Sequence, residues 1–279
     1  MNSSEIITNK DGSIYHLFLK PEQISSDIVL VGDPFRVDEV SKFMDDIEFT
    51  TQNREFRSVT GYYNKKRISV ISTGIGGSNI DIVINEIDTL VNYDFEKNKY
   101  KENHKQINFI RIGTSGSISK NIPINSFLIS KYAIDLNSQL SFYDLDNYKN
   151  DKIFKLTYDS NKFYYCIQSS EVLYKKFNSK LIHNGITATS NGFYSFQGRN
   201  TRIPLKTLIN FEDLDKLSYK NHHVTNLEME TAIIYGLANF LNHNAISLNA
   251  ILANRKFDSY SSDPSSVIDS LIKYTLDRI

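Results

Sequence analysis

Short apolar runs at 27–31, 67–72 and 107–112 each lead into a glycine-bearing turn, and no other feature of the chain constrains its fold as much. After the first come Gly32-Asp33-Pro34 and then Val37, Val40, Phe43 and Met44 at helical spacing. The second run enters Gly74-Ile75-Gly76-Gly77 and a helix with Ile80, Ile84, Ile87 and Leu90 on one face. The third ends in a turn at Gly113. Strands alternating with helices at this spacing imply an α/β sheet. Ligands of such sheets bind beyond the carboxyl ends of the strands, where these glycines fall.

Further strands are expected at 127–133, 185–190, 224–229 and 245–253, and a helix after 229 carries Ala232, Ile233, Leu237 and Phe240. Asp263 and Pro264 read as the cap and first residue of a terminal helix whose Val267, Leu271 and Ile272 face inward. Residues 93–106 are polar, rich in Lys, Asn and Glu, and read as a surface loop inserted before the third strand. A chain of 279 residues fits one large α/β domain or two small ones, and no repeat or linker divides it. Lys+Arg and Asp+Glu both number 32, so charge does not draw the chain as a whole to nucleic acid or an anionic membrane. No apolar run reaches the length of a membrane-spanning helix. Cys166 is the only cysteine, and the start, Met1-Asn2-Ser3-Ser4-Glu5, is polar rather than basic-then-apolar. Both features fit a cytoplasmic protein.

Arg111 lies within an otherwise apolar strand, where an unpaired charge is expensive, so it needs an anion. Arg36 follows the glycine turn at Gly32. Small residues let backbone N–H groups approach a phosphate, and a guanidinium supplies a matched fork of donors. Taken alone, Gly32 and Arg36 fit a β-turn and a solvated helix arginine equally well. Thr114 adds a hydroxyl two residues past the expected strand end. In Asn226-Leu227-Glu228-Met229-Glu230-Thr231-Ala232, two carboxylates stand at a helix entry. A helix dipole alone favours acidic residues there, but carboxylates also accept hydrogen bonds from both hydroxyls of a sugar diol. Gln197 and Arg199 follow Phe193 and Tyr194 in a polar loop. A carboxamide that donates and accepts, beside a guanidinium that donates, matches the O2, N3–H and O4 edge of uracil. His222 and His223 point to opposite faces of an extended segment, and no Cys or His cluster has ligand spacing, so no metal is expected. A phosphate site next to a sugar-diol site suggests an enzyme that joins or splits sugar and phosphate.

The order and wording of several segments resemble the nucleoside phosphorylase-I family, its uridine phosphorylase branch in particular. The segments are Val31-Gly32-Asp33-Pro34-Phe35-Arg36, Asn53-Arg54-Glu55-Phe56, Ser72-Thr73-Gly74-Ile75-Gly76-Gly77, Arg111-Ile112-Gly113-Thr114-Ser115-Gly116, Phe193-Tyr194-Ser195-Phe196-Gln197-Gly198-Arg199, Glu228-Met229-Glu230 and Ala253-Asn254-Arg255. With His16 they span residues 16–255. The resemblance implies one domain over 1–279, with a central mixed β-sheet flanked by helices. It implies that Gly32, Arg36, Arg111 and Thr114 bind phosphate and that Arg54 reaches the phosphate of a neighbouring subunit. Glu230 would grip the ribose 2′ and 3′ hydroxyls, Met229 pack on the sugar, Glu228 support them, and His16 touch the ribose 5′ end across a subunit boundary. Phe193 would pack on the base, Gln197 and Arg199 hold its edge, and Arg255 support that end of the pocket. Catalysis would rest on Arg36, Arg111, Arg199 and Glu230.

The activity implied is phosphorolysis of uridine to uracil and α-D-ribose 1-phosphate. The enzyme would be a homo-oligomer, a dimer or a hexamer built of dimers, with phosphate as co-substrate and no organic cofactor. Two other readings stand beside it: a purine or broad-specificity nucleoside phosphorylase, and a non-catalytic nucleoside-binding protein of the same fold. Asn254 speaks against the first, since purine members usually have an aspartate there that serves N7. The phosphate arginines speak against the second. Glu55 and Ile75 match a monovalent-cation site at the dimer interface of some relatives, but Asn79 replaces its small hydroxyl residue, which leaves the cation open.

Overall fold

The computed structural model describes residues 5–144, 151–159, 162–205 and 211–279, and the polar start at 1–4 lies outside them. A 3₁₀ turn (Pro21–Gln23) precedes β1 (Asp27–Val31) and α1 (Pro34–Ser41). Asp33 caps α1 by accepting from the Phe35 amide at 2.9 Å, and Pro34 fixes the first helical φ. The helix stops at Ser41, so Phe43 and Met44 lie beyond it as half-buried neighbours of the core.

The next three strands, β2 (Asp46–Asn53), β3 (Phe56–Tyr63) and β4 (Lys66–Ser72), form an antiparallel meander. The run at 67–72 is therefore the fourth strand in chain order, not the second. The preceding hairpin is invisible to a search for apolar runs, because β2 ends the sheet and is mostly exposed. After α2 (Gly77–Asn92) come β5 (Tyr93–Asp94) and β6 (Lys99–Tyr100). The stretch expected as a loop at 93–106 thus contains a small hairpin. Tyr93 packs edge to face on Phe95 and Tyr100, at 5.3 and 5.2 Å, and the Asn92 side chain accepts from the Lys105 amide at 2.7 Å.

The order continues with β7 (Asn108–Ser117), β8 (Phe127–Asp135), β9 (Ile153–Asp159), β10 (Lys162–Gln168), α3 (Glu171–Phe177), β11 (His183–Thr189), α4 (Phe211–Lys216) and β12 (Ser218–Tyr219). It closes with β13 (His222–Glu228), α5 (Thr231–Phe240), β14 (Asn244–Asn254), β15 (Ser259–Tyr260) and α6 (Pro264–Leu276). Asp263 caps α6 through the Ser266 amide, with Leu271 and Ile272 buried as expected. Among the described residues, no helix is long and apolar enough to cross a membrane.

The strands other than β5 and β6 form one mixed sheet along the path β12-β13-β11-β8-β14-β7-β1-β4-β3-β2, with β10, β9 and β15 attached to its flank. β1 pairs in parallel with β4 and β7, and β7 in parallel with β14. β13 also pairs with β7, Asn226 opposite Ser117 and Leu227 opposite Gly116, so β7, β14, β8, β11 and β13 close on themselves. Helices cover both faces, and alternate residues divide between them. Ile28, Leu30 and Phe109 pack with α2 and α5, whereas Val29, Val31, Ile110 and Ile112 pack with α1, α3 and α6.

The largest departure from expectation is in β7. The run at 107–112 does not turn at Gly113; the strand continues to Ser117 with Thr114 inside it. Gly113 provides room instead. A Cβ there would stand 1.7 Å from Arg111 Nη1. Residues two apart on a strand share a face, so the Arg111 guanidinium lies over the Gly113 backbone, where any side chain would displace it.

Candidate functional site

Arg111 points from β7 toward the face that α2 and α5 cover, and the starts of both helices meet it there. It is only 6% exposed. Its Nη2 donates to Glu230 Oε2 at 2.5 Å and lies 3.4 Å from Glu228 Oε2, while Nη1 donates to Asn249 Oδ1 at 3.0 Å. Burial works against the charged guanidinium, but Glu230 and Glu228 outweigh it and hold Arg111 above its ordinary pKa. Burial likewise pushes the Glu230 carboxyl above the usual range, with Arg111 pulling the other way. Glu230 Oε1 accepts the Gly76 amide at 2.7 Å, just ahead of α2, where Gly76 has φ +91° and a side chain would be strained.

Glu228 does different work. It ends β13 and accepts the amides of Glu230 and Thr231 at 3.0 and 2.9 Å, and the Thr231 and Thr189 hydroxyls at 2.9 and 2.6 Å. Its carboxylate thus caps α5 and fixes the backbone that carries Glu230. Met229 between them is half-buried.

Arg36 lies in the first turn of α1, beyond Gly32, close enough to Arg111 for the two charges to repel. Its Nε is buried without a hydrogen-bond partner among the described residues, and Glu39 stands off at 3.8 Å. Burial, reinforced by Arg111 and opposed by Glu39, lowers its pKa. Arg111 is neutralised by two carboxylates, whereas among the described residues Arg36 has only the longer ion pair with Glu39 and no hydrogen bond to its Nε.

The loop before 200 gathers the base-edge candidates. Arg199 Nη1 donates to Phe193 O at 2.6 Å and to Gln197 Oε1 at 2.7 Å, and its guanidinium stacks 3.7 Å over the Phe193 ring. Arg255 Nη1 donates to Gln197 O, and burial, then the Arg199 charge, depresses the Arg255 pKa to about 10. Gln197 is buried and reaches Glu228 O at 3.5 Å, which ties this loop to the Arg111 cluster. Phe193 is 48% exposed. Asn254 is 2% exposed; its amide donates to Ser119 O and Ile122 O at 3.0 and 2.9 Å and its oxygen accepts from the Lys256 amide at 3.0 Å.

His16 and Arg54 do not join Arg36 and Arg111. They meet each other's surroundings instead, since Asn53 Nδ2 donates to His16 O at 2.8 Å. Arg54 is exposed at φ +54° in the β2–β3 turn and makes no hydrogen bond or ion pair with other described residues. Glu55, Ile75 and Asn79 do converge around Gly74, where a Cβ would meet the Glu55 and Asn79 side chains at 2.9 and 2.4 Å. The Asn79 amide donates to the Ile75 carbonyl at 3.3 Å, which is the one oxygen Ile75 could offer a cation.

Sequence reasoning passed over Asn249, which had the same signal as Arg111: a polar side chain inside the apolar run at 245–253. It also passed over Asn191, whose Oδ1 accepts from the Gly77 amide at 3.0 Å, and over Glu86, neither of which stands out in sequence.

A model of the phosphorylase superfamily matches residues 27–270. A uridine phosphorylase of Thermococcus kodakarensis is 32% identical over 256 residues, covering 91% of this chain and 82% of that protein. A uridine phosphorylase of Haemophilus influenzae is 28% identical over 246 residues, covering 87% of this chain and 86% of that protein. The fold superposes, with a TM-score of 0.86 and 27% identity over 98% of both chains, on a Trypanosoma brucei nucleoside phosphorylase that shows uridine phosphorylase activity.

Proposed function

This chain belongs to the phosphorylase superfamily, and from that premise we propose that it is a uridine phosphorylase, a pentosyltransferase that converts uridine and phosphate reversibly to uracil and α-D-ribose 1-phosphate. The observation that carries this reading is the pair Arg36 and Arg111. One is partly buried with a buried Nε that has no hydrogen-bond partner among the described residues, and the other is already neutralised, so an added anion would complete the first beside the second. A protein that only bound nucleosides would have no use for that arrangement.

In the reaction, Gly32, Arg36, Arg111 and Thr114, with Arg54 of a neighbouring copy, hold phosphate below C1′. Glu230 accepts the 2′ and 3′ hydroxyls of ribose, Met229 packs on the sugar, Glu228 supports them, and His16 of the neighbour meets the 5′ end. Phe193, Gln197, Arg199 and Arg255 hold the base. The C1′–N1 bond breaks ahead of attack, so C1′ gains oxocarbenium character that the phosphate dianion stabilises. The bonding pair leaves with uracil, and donors on Arg199 and Gln197 stabilise the charge spread over its carbonyls. A phosphate oxygen then bonds to C1′, and solvent supplies the proton that uracil takes up. No organic cofactor takes part. The working unit is a cytoplasmic homo-oligomer.

A purine base is disfavoured because Asn254 is bound to backbone on both ends of its amide and offers N7 no proton. The deciding experiment incubates the protein with uridine, with and without phosphate, and identifies the sugar. Ribose 1-phosphate formed only with phosphate is the expected result. Free ribose released equally in phosphate-free buffer would show a hydrolase and sink the assignment, and faster turnover of inosine or adenosine would move it to the purine branch.

A further inference from the structure

Residue 16 is held more tightly than its place on an N-terminal segment requires. Ile14, Leu17 and Leu19 on either side of it are buried. Its backbone amide lies 3.1 Å from both oxygens of Glu86, on α2, and the Leu17 amide donates to Glu86 Oε2 at 3.0 Å. Its carbonyl accepts from Asn53. Its ring Nδ1 is 2.6 Å from Glu86 Oε1. Tyr15 packs against the ring edge to face at 4.7 Å. Among the described residues, every polar atom of His16 is therefore engaged except Nε2, and the side chain keeps 25% of its surface exposed.

A carboxylate that accepts two backbone amides also accepts from the ring, so in the neutral imidazole the proton sits on Nδ1 and Nε2 carries the lone pair. We infer that Glu86 is the positioning residue for His16, fixing its ring and its tautomer so that Nε2 stands as a hydrogen-bond acceptor for the 5′-hydroxyl of a nucleoside. The same carboxylate fixes ring and backbone together, as outer partners do for metal-ligating histidines. The consequence is selectivity: nucleosides with a free 5′-hydroxyl are favoured over 5′-deoxy analogues, and Glu86, which touches no substrate, sets the margin. This rests on the proposed nucleoside site, but its tautomer arm does not require uridine turnover.

Two measurements test it. Nitrogen-15 NMR of the histidines at about pH 8, with His16→Ala to identify the signal, reads the tautomer of the unaltered chain. Protonated Nδ1 and bare Nε2 are expected, and a ring with Nε2 protonated overturns the inference whatever the substrate proves to be. Kinetics with uridine and 5′-deoxyuridine then separate positioning from folding. Glu86→Gln is expected to lower kcat/KM for uridine by about tenfold, mostly through KM, and to leave 5′-deoxyuridine within about twofold, the scale of one neutral hydrogen bond. Adding Glu86→Gln to His16→Ala should cost nothing further. Equal losses on both substrates, or no loss on uridine, overturn it. An unaltered chain that ignores uridine refutes the uridine reading instead.

Discussion

Arg111 and Arg36 carry the same charge, one into full and one into partial burial, and are met differently. Arg111 has Glu230, Glu228 and Asn249, whereas Arg36 Nε has no hydrogen-bond partner among the described residues and Glu39 only at 3.8 Å. A buried guanidinium nitrogen left in that condition is costly unless a ligand completes it, so in the proposed phosphate site Arg36 is the more sensitive of the two to an added anion. The placement of Arg111 depends on an absent atom. Gly113→Ala puts a Cβ 1.7 Å from its Nη1 and must move the guanidinium. The prediction is a fall in kcat/KM for uridine of about a hundredfold, the scale of a misplaced catalytic group, and steady-state kinetics that stay near native would refute it. Asn254 makes the opposite prediction. An aspartate there would turn its oxygens toward the carbonyls of Ser119 and Ile122, which the amide now satisfies. Asn254→Asp should destabilise the fold by about 1–3 kcal/mol, the cost of unsatisfied buried groups, without creating inosine turnover. Urea unfolding and an inosine assay check both halves, and a stable variant that cleaves inosine would show that the side chain is free to face the base.

Helix α5 shows how one element serves two ends. Its first turn is capped from outside the helix, by Glu228 at the end of β13, and Thr231 returns a hydroxyl to the same carboxylate. Glu230 is thereby freed from capping its own helix and can turn to Arg111 and Gly76. Glu228→Gln keeps the shape but weakens four acceptances, and should cost about 1–2 kcal/mol of stability, as for a lost helix cap. Chemical denaturation reads that loss, and an unchanged midpoint would mean that the cap is dispensable. Strands β1 and β7 show why sequence reading succeeded where it did. Both are buried on two faces, so β1 and the first half of β7 read as apolar runs, the latter broken only by Arg111, whereas β2 has only Ile47 and Phe49 alternating with acidic residues. Residues 93–106 read as a loop because their hairpin is short and its aromatic contacts are local.

In the whole molecule, Asn53, next to Arg54, bonds the His16 carbonyl, and among the described residues neither Arg54 nor His16 has a hydrogen bond or ion pair with Arg36 or Arg111, which suits the proposed site completed by a second copy. The prediction is complementation. Chains carrying Arg54→Ala and chains carrying Arg111→Ala, mixed after reversible dissociation, should regain about a quarter of normal turnover, because a mixed two-fold dimer has one intact site and one doubly defective one. Inactive mixtures in which mass analysis finds mixed dimers would place Arg54 in its own subunit's chemistry and end the shared-site model.

Sequence alone determined that strands and helices alternate, that Arg111 is a buried charge in need of an anion, and that two carboxylates open a helix. Those signals are local: a charge inside an apolar run and a period of two or of 3.6 residues can be read without knowing what packs where. Three things were decided only by tertiary structure. Gly113 is space for a guanidinium rather than a turn, because strand pairing with β14 carries β7 through it. Glu228 caps while Glu230 pairs, because the β13–β7 contact brings the end of β13 against Arg111. Glu86 holds His16, because α2 packs where the N-terminal segment passes. Each joins residues far apart in the chain, and no local pattern encodes such a meeting: the closed sheet creates it.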